Sequence, residues 1–554
     1  MSNAYRNAAK QINKTPQSQP IAGSNQVKNS AGGYSYEVDC WSKLNRFLVM
    51  GTEGGSFYAS QQKLTGDNLT SLNECIAQDP KRTVQIIAET SASGKAARNT
   101  PAIFALAVAA SSGDPVASKE ASSAISTVCR TGTHMYEFAQ FIKDIGSRGW
   151  GRGLRNGVGS YYTDSDINKL ALHAVKYRQR NGWTHRDLMR LSHPKTDDPT
   201  RNLLFAYMVG KADSKALSRN PDLSIVSAYE QVAKITDPKK AIKILSENKS
   251  LPWEAFSNEV QKSPAFWEAI APDMGMIALV RNLSRFARLN MLTPMGSTEK
   301  LIKARLTDLQ DVKRSRIHPI NALSAARVYG SGGMAVTYGS SFNPYKVNAN
   351  IVEALEETFE LAFDNVNPSG ANMYIALDVS ASMNASCMGL EYLSCRDGSA
   401  AMAMITAKTE PNTYVKGFTS SGEGWSRRSE AELTDLNIGK RSTLNSSISA
   451  VSRLTFGGTD CALPMIDAER NGIKADCFVV YTDSETWAGK IHPTQALASY
   501  RKAMNMPEAK LAVVGMASNN FSIADPDDPN MMDFVGFGSD TPSMISAFAG
   551  GELS

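Results

Sequence analysis

Two groups of residues carry chemistry by type and spacing. The first is Asp378-Val379-Ser380-Ala381-Ser382, a D-x-S-x-S run. It follows directly on the apolar segment Met373–Leu377, so a strand is expected to give way to a loop at Asp378. One carboxylate and two hydroxyls, two residues apart, can point the same way from such a turn. Open α/β sheets bind ligands outside the carboxyl ends of their strands, and hard oxygen donors of this kind suit Mg²⁺ or another divalent cation. The second group is the stretch 169–195, with seven Lys or Arg, one acid (Asp187) and three of the chain's six histidines. Lys169, His173, Lys176 and Arg180 recur at i, i+4, i+7 and i+11. On a helix they fall within about 60° of one another, a basic stripe able to straddle phosphates.

Asn181-Gly182 breaks that helix. Thr184 with Asp187 reads as a capping box opening the next helix, on which His185, Arg186 and Arg190 extend the basic surface. Trp183, Tyr177 and the histidine rings offer faces for unpaired bases. The competing reading is a solvated helix face, the usual fate of charge runs, and the scarcity of acids speaks against it. Further basic candidates are Arg130 and His134 in Arg130-Thr131-Gly132-Thr133-His134, and Arg148, Arg152 and Arg155 in the Gly-rich segment Gly146–Gly159. The latter is read as a flexible loop whose backbone can approach phosphate, against the plainer view that its glycines make turns between helices.

Two more oxygen ligands are expected from loops near Asp378. Thr459 lies in Gly457-Gly458-Thr459-Asp460, and Asp483 ends the apolar run Cys477–Thr482. Together Asp378, Ser380, Ser382, Thr459 and Asp483 resemble the metal-ion-dependent adhesion site of von Willebrand factor A domains. The alternative is that the hydroxyls cap helices and Asp378 is a turn residue. A phosphotransferase with Asp378 as nucleophile would want a second carboxylate two residues on as acid/base, and that position is Ser380. No nucleophile–base pair, HExxH, Walker loop or GxGxxG stands out, so no catalytic set is assigned.

The elements that must position these residues follow from pattern and composition. The chain has 554 residues, 42% apolar, and a formal net charge of +5. Wholesale disorder, a histone-like polycation and an acidic tail are excluded. The longest uninterrupted apolar stretch, Ala102–Ala110, is far short of the ~20 residues of a membrane span, and the N-terminus lacks a signal-peptide core. Seven widely spaced cysteines without a CxxC pair fit a reducing cytosol. The charge is unevenly spread. Residues 365–554 hold 14 Lys/Arg against 21 Asp/Glu, net −7, and residues 1–364 carry +12. A basic front permits a nucleic-acid partner without proving one.

Residues 1–36 lack acids and are rich in Asn, Gln, Ser and Gly; they read as a mobile arm, or one ordered only by docking. Residues 37–364 show helical periodicity with short Gly, Pro, Asn or Asp breaks, as in Trp41–Met50, Pro101–Ala110, Met135–Ile145, Ile167–Tyr177 and Met276–Leu289. An all-α solenoid of antiparallel helix pairs is expected. Residues 365–554 alternate β-rich runs with helices: Met373–Leu377, Tyr414–Phe418, Cys477–Thr482 and Leu511–Met516 among Gly398–Lys408, Leu444–Leu454, Pro464–Arg470 and Thr494–Met504. That alternation predicts an α/β doubly wound parallel sheet.

At this point a family comes into view. LNRFLVMGTEGGSFYASQQKLTGDN (44–68) resembles the opening of the TROVE module, and CRTGTHMYEFAQF (129–141), GWGRGLRNGV (149–158), KYRQRNGWTHRDLMRLSHPK (176–195), LPWEAF (251–256), MGMIALVRNLSRF (274–286) and SRIHPINAL (315–323) resemble its later segments. With a von Willebrand A-like domain behind, residues 36–550 resemble the Ro ribonucleoprotein family, that of the 60 kDa Ro/SS-A autoantigen and its bacterial counterparts. The N-terminal arm has no match in this resemblance. The resemblance implies HEAT-like repeats (37–364) bent into a ring and closed by the von Willebrand A-like domain (365–554). It implies Y-like small noncoding RNA on an outer basic surface, single-stranded 3′ ends of misfolded RNA in the central hole, and, in bacterial relatives, a 3′ exoribonuclease tethered through RNA. Carried onto this sequence, it points to Lys169, His173, Lys176, Arg180, His185, Arg186 and Arg190 as phosphate or base ligands, joined by Arg130, His134 and Arg152. The expectation is a monomeric, cytoplasmic, non-enzymatic RNA-binding scaffold with Mg²⁺ at the adhesion-type site. The rivals are a Mg²⁺-dependent hydrolase or nuclease built on the back domain, and a protein-binding adaptor acting through the metal site.

Overall fold

The structure is a computed structural model that describes residues 14–51, 61–93, 96, 98–146, 149–333, 344–363, 368–387, 390–420, 431–454, 458–517, 519–536 and 541–552. Two compact units emerge. One comprises residues 72–317 and 328–358; the other comprises residues 1–71, 318–327 and 359–554. The units therefore do not follow the sequence divisions 1–36, 37–364 and 365–554, because the N-terminal segment folds with the α/β elements.

The first unit is helical, and its helices start on a recurring local device. Asp114, Asp198 and Asp237 each precede a proline, and their carboxylates accept from backbone N–H groups of the first turn (Ala117, Thr200 with Arg201, and Lys239). The aspartate satisfies donors that the helix leaves open, and proline at the first helical position gives up an N–H that has no partner there. Packing runs between near neighbours in sequence. The helix Pro115–Val128 meets Pro80–Ser93, Thr100–Ser111 and Arg152–Thr163, and Thr100–Ser111 also meets Gly132–Ile145. This is the pattern of a solenoid. Thr100–Ser111 contains the long apolar stretch noted above and is buried almost throughout. Twelve residues span about 18 Å, a core helix and no membrane span. Among the described residues no helix is long and apolar enough to cross a membrane.

The second unit is built on a six-stranded sheet. Its strands are β5 (Asn372–Asp378), β8 (Asn412–Ser420), β9 (Ala431–Asp435), β10 (Cys477–Thr482), β11 (Lys510–Gly515) and β13 (Met531–Val535), in spatial order β13-β11-β10-β5-β8-β9. All pairings are parallel except β8 with β9. Every residue of β10 is buried, as expected of a strand covered on both faces. Tyr374, Phe418, Phe478, Met465, Leu497 and Tyr500 belong to the core on one face. After β5 the chain moves to β8 on one side, and later returns to β10 on the other. The strand order thus reverses at β5, and the carboxyl ends of β5 and β10 form the switch point where ligands collect in such sheets.

Residues 14–36 of the N-terminal arm are docked, and residues 1–13 lie outside the described residues. Strands β1 (Gln26–Lys28) and β2 (Tyr34–Glu37) make a hairpin, and β2 pairs with β12 (Phe521–Ser522) to complete a three-stranded sheet. Of the two readings of this polar stretch, mobile or ordered by docking, the described part follows the second, with Gln17 and β2 bonded to other loops. The helix Cys40–Met50 belongs to this unit as well: its Arg46, 1% exposed, donates to the Asn519 and Phe521 carbonyls and pairs with Asp533.

Candidate functional site

The structure brings the five oxygen ligands together from three loops. Asp378 ends β5, Ser380 and Ser382 follow in a short 3₁₀ turn, Thr459 precedes the helix Leu463–Asn471, and Asp483 follows β10. Each is buried, none exposed above 3%. Ser380 N–H donates to Asp378 Oδ1 at 2.9 Å, and the Ser380 and Ser382 hydroxyls lie 2.9 Å apart. The Thr482 hydroxyl, which the β5–β10 register sets opposite Asp378, donates to Asp378 Oδ2 at 2.7 Å. Thr482 escaped the sequence reading; the threonine just before a strand-end aspartate was its only signal.

Burial, then the neighbouring Asp483 carboxylate, pushes Asp378 up to about 7, against hydrogen bonds from Ser380 and Thr482 that oppose the rise. Burial likewise raises Asp483. Two interior carboxylates this close disfavour each other's charge. Thr459 Oγ1 and Asp483 Oδ2 are buried with no hydrogen-bond partner, unusual for native polar atoms. Two carboxylates and three hydroxyls, with Thr459 Oγ1 and Asp483 Oδ2 left without partners, fit a hard divalent cation. Among the described residues no cluster of three or more His, Cys, Asp or Glu exists that could serve instead.

The basic stretch folds differently from its expected form. The helix carrying Lys169 ends at Lys176, so Arg180 does not extend the stripe. Residues 179–184 instead form a two-stranded hairpin, β3 (Gln179–Arg180) against β4 (Trp183–Thr184). Asn181 (φ 51°) and Gly182 (φ 79°) occupy its turn, the Asn-Gly signature of a two-residue loop. The capping box at Thr184 and Asp187 is present and starts the helix His185–Ser192. Lys169, Arg180, Arg186 and Arg190 are exposed, and Lys176 is half-buried with its ammonium 5.6 Å from the Tyr177 ring. Arg180 faces Glu137 at 3.4 Å. Arg178, absent from the candidate set, is exposed on the same hairpin and lies 5.2 Å over the Tyr229 ring.

The histidines are corrections. His173 and His185 are buried, bonded to the Tyr161 and Tyr162 hydroxyls at 2.8 and 3.0 Å. Burial holds them down at about 3 and about 4, so both are neutral. They cannot grip a phosphate; they support the helices that present the arginines. His134 is held down at about 4, first by burial and then by Arg130, and contacts Asn99. Arg130 is half-buried and donates to Ser91 Oγ and the Thr127 carbonyl. Trp183 donates to Gln140, which restrains it as a stacking face. Arg152 is exposed, but on a helix, Arg152–Thr163, where a flexible loop was expected. Gly153 and Gly157 let that helix approach Ser122, so packing explains the glycines. Arg148 and Gly457 lie outside the described residues.

The comparisons agree with this layout. The TROVE domain model matches residues 27–243 and 227–329, and the Ro60 vWA domain model matches residues 372–549. The chain belongs to the Ro family of TROVE proteins. It is 38% identical over 531 residues to the RNA-binding protein RO60 of Deinococcus radiodurans, spanning 95% of this chain and 96% of that one. It is 32% identical over 620 residues to the RNA-binding protein RO60 of Caenorhabditis elegans, spanning 98% and 93%. The crystal structure of the Deinococcus radiodurans RO (RSR) protein is similar, with a TM-score of 0.69 and 36% identity, covering 93% of this chain and all of that one. The family's helix-rich TROVE region and its von Willebrand A domain with a mainly parallel central sheet are therefore both present here.

Proposed function

We propose that this chain is the RNA-binding scaffold of a Ro-type ribonucleoprotein. It binds Y-like small noncoding RNA on the basic surface of the helical unit and takes single-stranded 3′ ends of misfolded RNA in a ring of HEAT-like repeats. It works as a monomer in the cytoplasm, where the bound RNA tethers a 3′ exoribonuclease. The observation that carries the reading is the presentation of Arg178, Arg180, Arg186 and Arg190 to solvent from one hairpin and the helix after it. Neutral His173 and His185 brace these elements from beneath. Cations fixed on a rigid base meet phosphates without losing much side-chain freedom.

Asp378, Ser380, Ser382, Thr459 and Asp483 would hold Mg²⁺ in the second unit. The bound ion would neutralise the two carboxylates and offer a position to a partner's oxygen. The site is read as binding without turnover, since the position two residues after Asp378, where a phosphotransferase would place its acid/base carboxylate, is Ser380.

Electrophoretic binding of a Y-like RNA over a range of salt concentrations tests the proposal. Replacing Arg186 and Arg190 with alanine is expected to weaken binding and to flatten the slope of log affinity against log salt by about one to two units. Unchanged affinity and slope would remove this surface from the site. The same RNA incubated with protein and Mg²⁺ is expected to stay intact; cleavage that Asp378→Ala abolishes would make the second unit a hydrolase.

A further inference from the structure

We propose that Gln17, more than 350 residues from Asp378 in sequence, is a positioning residue of the metal site and acts through Thr486. This rests on the reading of Asp378, Ser380, Ser382, Thr459 and Asp483 as metal ligands.

Two of those ligands sit on segments without regular structure, so their placement depends on bonds made elsewhere. Backbone N–H groups of Trp487 and Ala488 donate to the Thr459 carbonyl at 3.1 and 3.0 Å. Cys461 N–H donates to Thr486 Oγ1 at 3.2 Å. The Thr459 loop and the Asp483 loop are therefore tied to each other, and Gln17 closes the tie. Its side chain is fully buried, and both amide hydrogens and the amide oxygen are hydrogen-bonded. Nε2 donates to Asp460 Oδ1 at 2.7 Å and to the Ile491 carbonyl at 2.8 Å, and Oε1 accepts from the Thr486 hydroxyl. The main chain is held as well: Gln17 N–H donates to the Gly489 carbonyl, and the Gln17 carbonyl accepts from Tyr34 N–H, both at 2.9 Å.

There is no slack in this contact. A Cβ on Gly489 would stand 2.2 Å from Gln17 Nε2, and one on Gly33 would stand 1.9 Å from the Thr486 carbonyl oxygen. Asn29 and Ser35 continue the seam, donating to the Thr486 and Ser484 carbonyls at 2.8 and 3.0 Å. One amide thus fixes both the residue after Thr459 and the residue three beyond Asp483. Partners of ligands placed in this way ordinarily govern metal affinity as well as local order.

Calorimetric titration of Mg²⁺ into the full chain, with thermal unfolding in chelator and in Mg²⁺, tests the inference. Gln17→Ala is expected to bind Mg²⁺ about ten- to hundredfold more weakly, to melt below wild type in chelator because it leaves buried polar groups of Asp460, Thr486 and Ile491 without this partner, and to lose most of the Mg²⁺-dependent rise in Tm. Thr486→Val is expected to do the same, and Thr486→Ser, which keeps the hydroxyl, to bind as wild type does. If Gln17→Ala is already unfolded in chelator, the Thr486 pair decides: a valine defect rescued by serine supports the inference, and equal binding by both overturns it. Wild-type affinity in both Gln17→Ala and Thr486→Val also overturns it. Absence of Mg²⁺ binding by wild type brings down the metal reading itself.

Discussion

Acidification should loosen the helical unit through its buried histidines, and His185 is the cleanest test. Its ring is packed edge-on against Tyr136 and Tyr162 and bonded to the Tyr162 hydroxyl. Burial holds it down at about 4, against about 6.5 in an unfolded chain. The folded state therefore refuses a proton that the unfolded state accepts. The stability this contributes is present above pH 6.5 and is lost as pH falls toward 4. Taking those two values, lowering the pH from 7.5 to 5 costs about 2 kcal/mol at this one residue. His173, held lower still at about 3 by burial and then by Lys169, His185 and Lys176, adds a loss at least as large by the same logic. The assay is urea unfolding of wild type and His185→Gln at both pH values, with imidazole resonances followed by NMR. The variant starts weaker at pH 7.5 and loses about 2 kcal/mol less than wild type on acidification. Equal losses in the two proteins, or a His185 resonance that titrates near 6.5, would refute the argument.

Three further outcomes follow from the same physics. Asp378→Asn removes one of two interior like charges, so it should melt at or above the wild-type temperature in chelator while losing Mg²⁺ binding by calorimetry; a lower metal-free Tm would mean the carboxylate is structural. Arg46→Met strands the buried Asp533 without its partner and should cost about 3–5 kcal/mol in urea unfolding; a loss below about 1 kcal/mol would show that water reaches the pair. Gly157→Ala would place a Cβ 2.3 Å from the Ser122 carbonyl oxygen and should destabilise by about 1–3 kcal/mol, whereas helix propensity alone would make it stabilising by about 1 kcal/mol. The sign of that change tells whether the glycine serves packing.

How much was legible in the sequence varied with the physics involved. The strand Cys477–Thr482 was placed to the residue, because continuous apolar runs bounded by polar ends mark buried parallel strands. The helices Ile167–Lys176 and Met276–Arg288 fell within a residue of their expected bounds. The nearness of Asp378, Ser380, Ser382 and Asp483 was legible because they lie at the ends of neighbouring strands β5 and β10. What escaped was tertiary. Helical spacing gives Arg180 a place on a stripe; the Asn181-Gly182 pair is a hairpin signal, but nothing local ends the helix at Lys176 so that this pair turns two short strands. Histidine at helical spacing does not reveal which face is interior, so His173 and His185 were read as ligands when tyrosines enclose them. The polar arm looked unstructured because its partners, Asp460, Thr486 and Ile491, lie more than 440 residues away.

The same reasoning changes what the charge balance means. A net charge of +5 over 554 residues points to no partner. Split at residue 365, it becomes a basic front and an acidic back, and the two halves use charge in opposite ways. In the helical unit arginines stand in solvent on neutral supports, where their charge is available to an external anion. In the α/β unit Asp378 and Asp483 are interior, and each disfavours charge on the other. A phosphate backbone that finds the first surface gains by releasing its counterions. It gains nothing from the second unless the metal is bound, since two bare carboxylates would oppose it. RNA affinity should therefore be set by the arginines, and any contact made through the second unit should vanish in chelator.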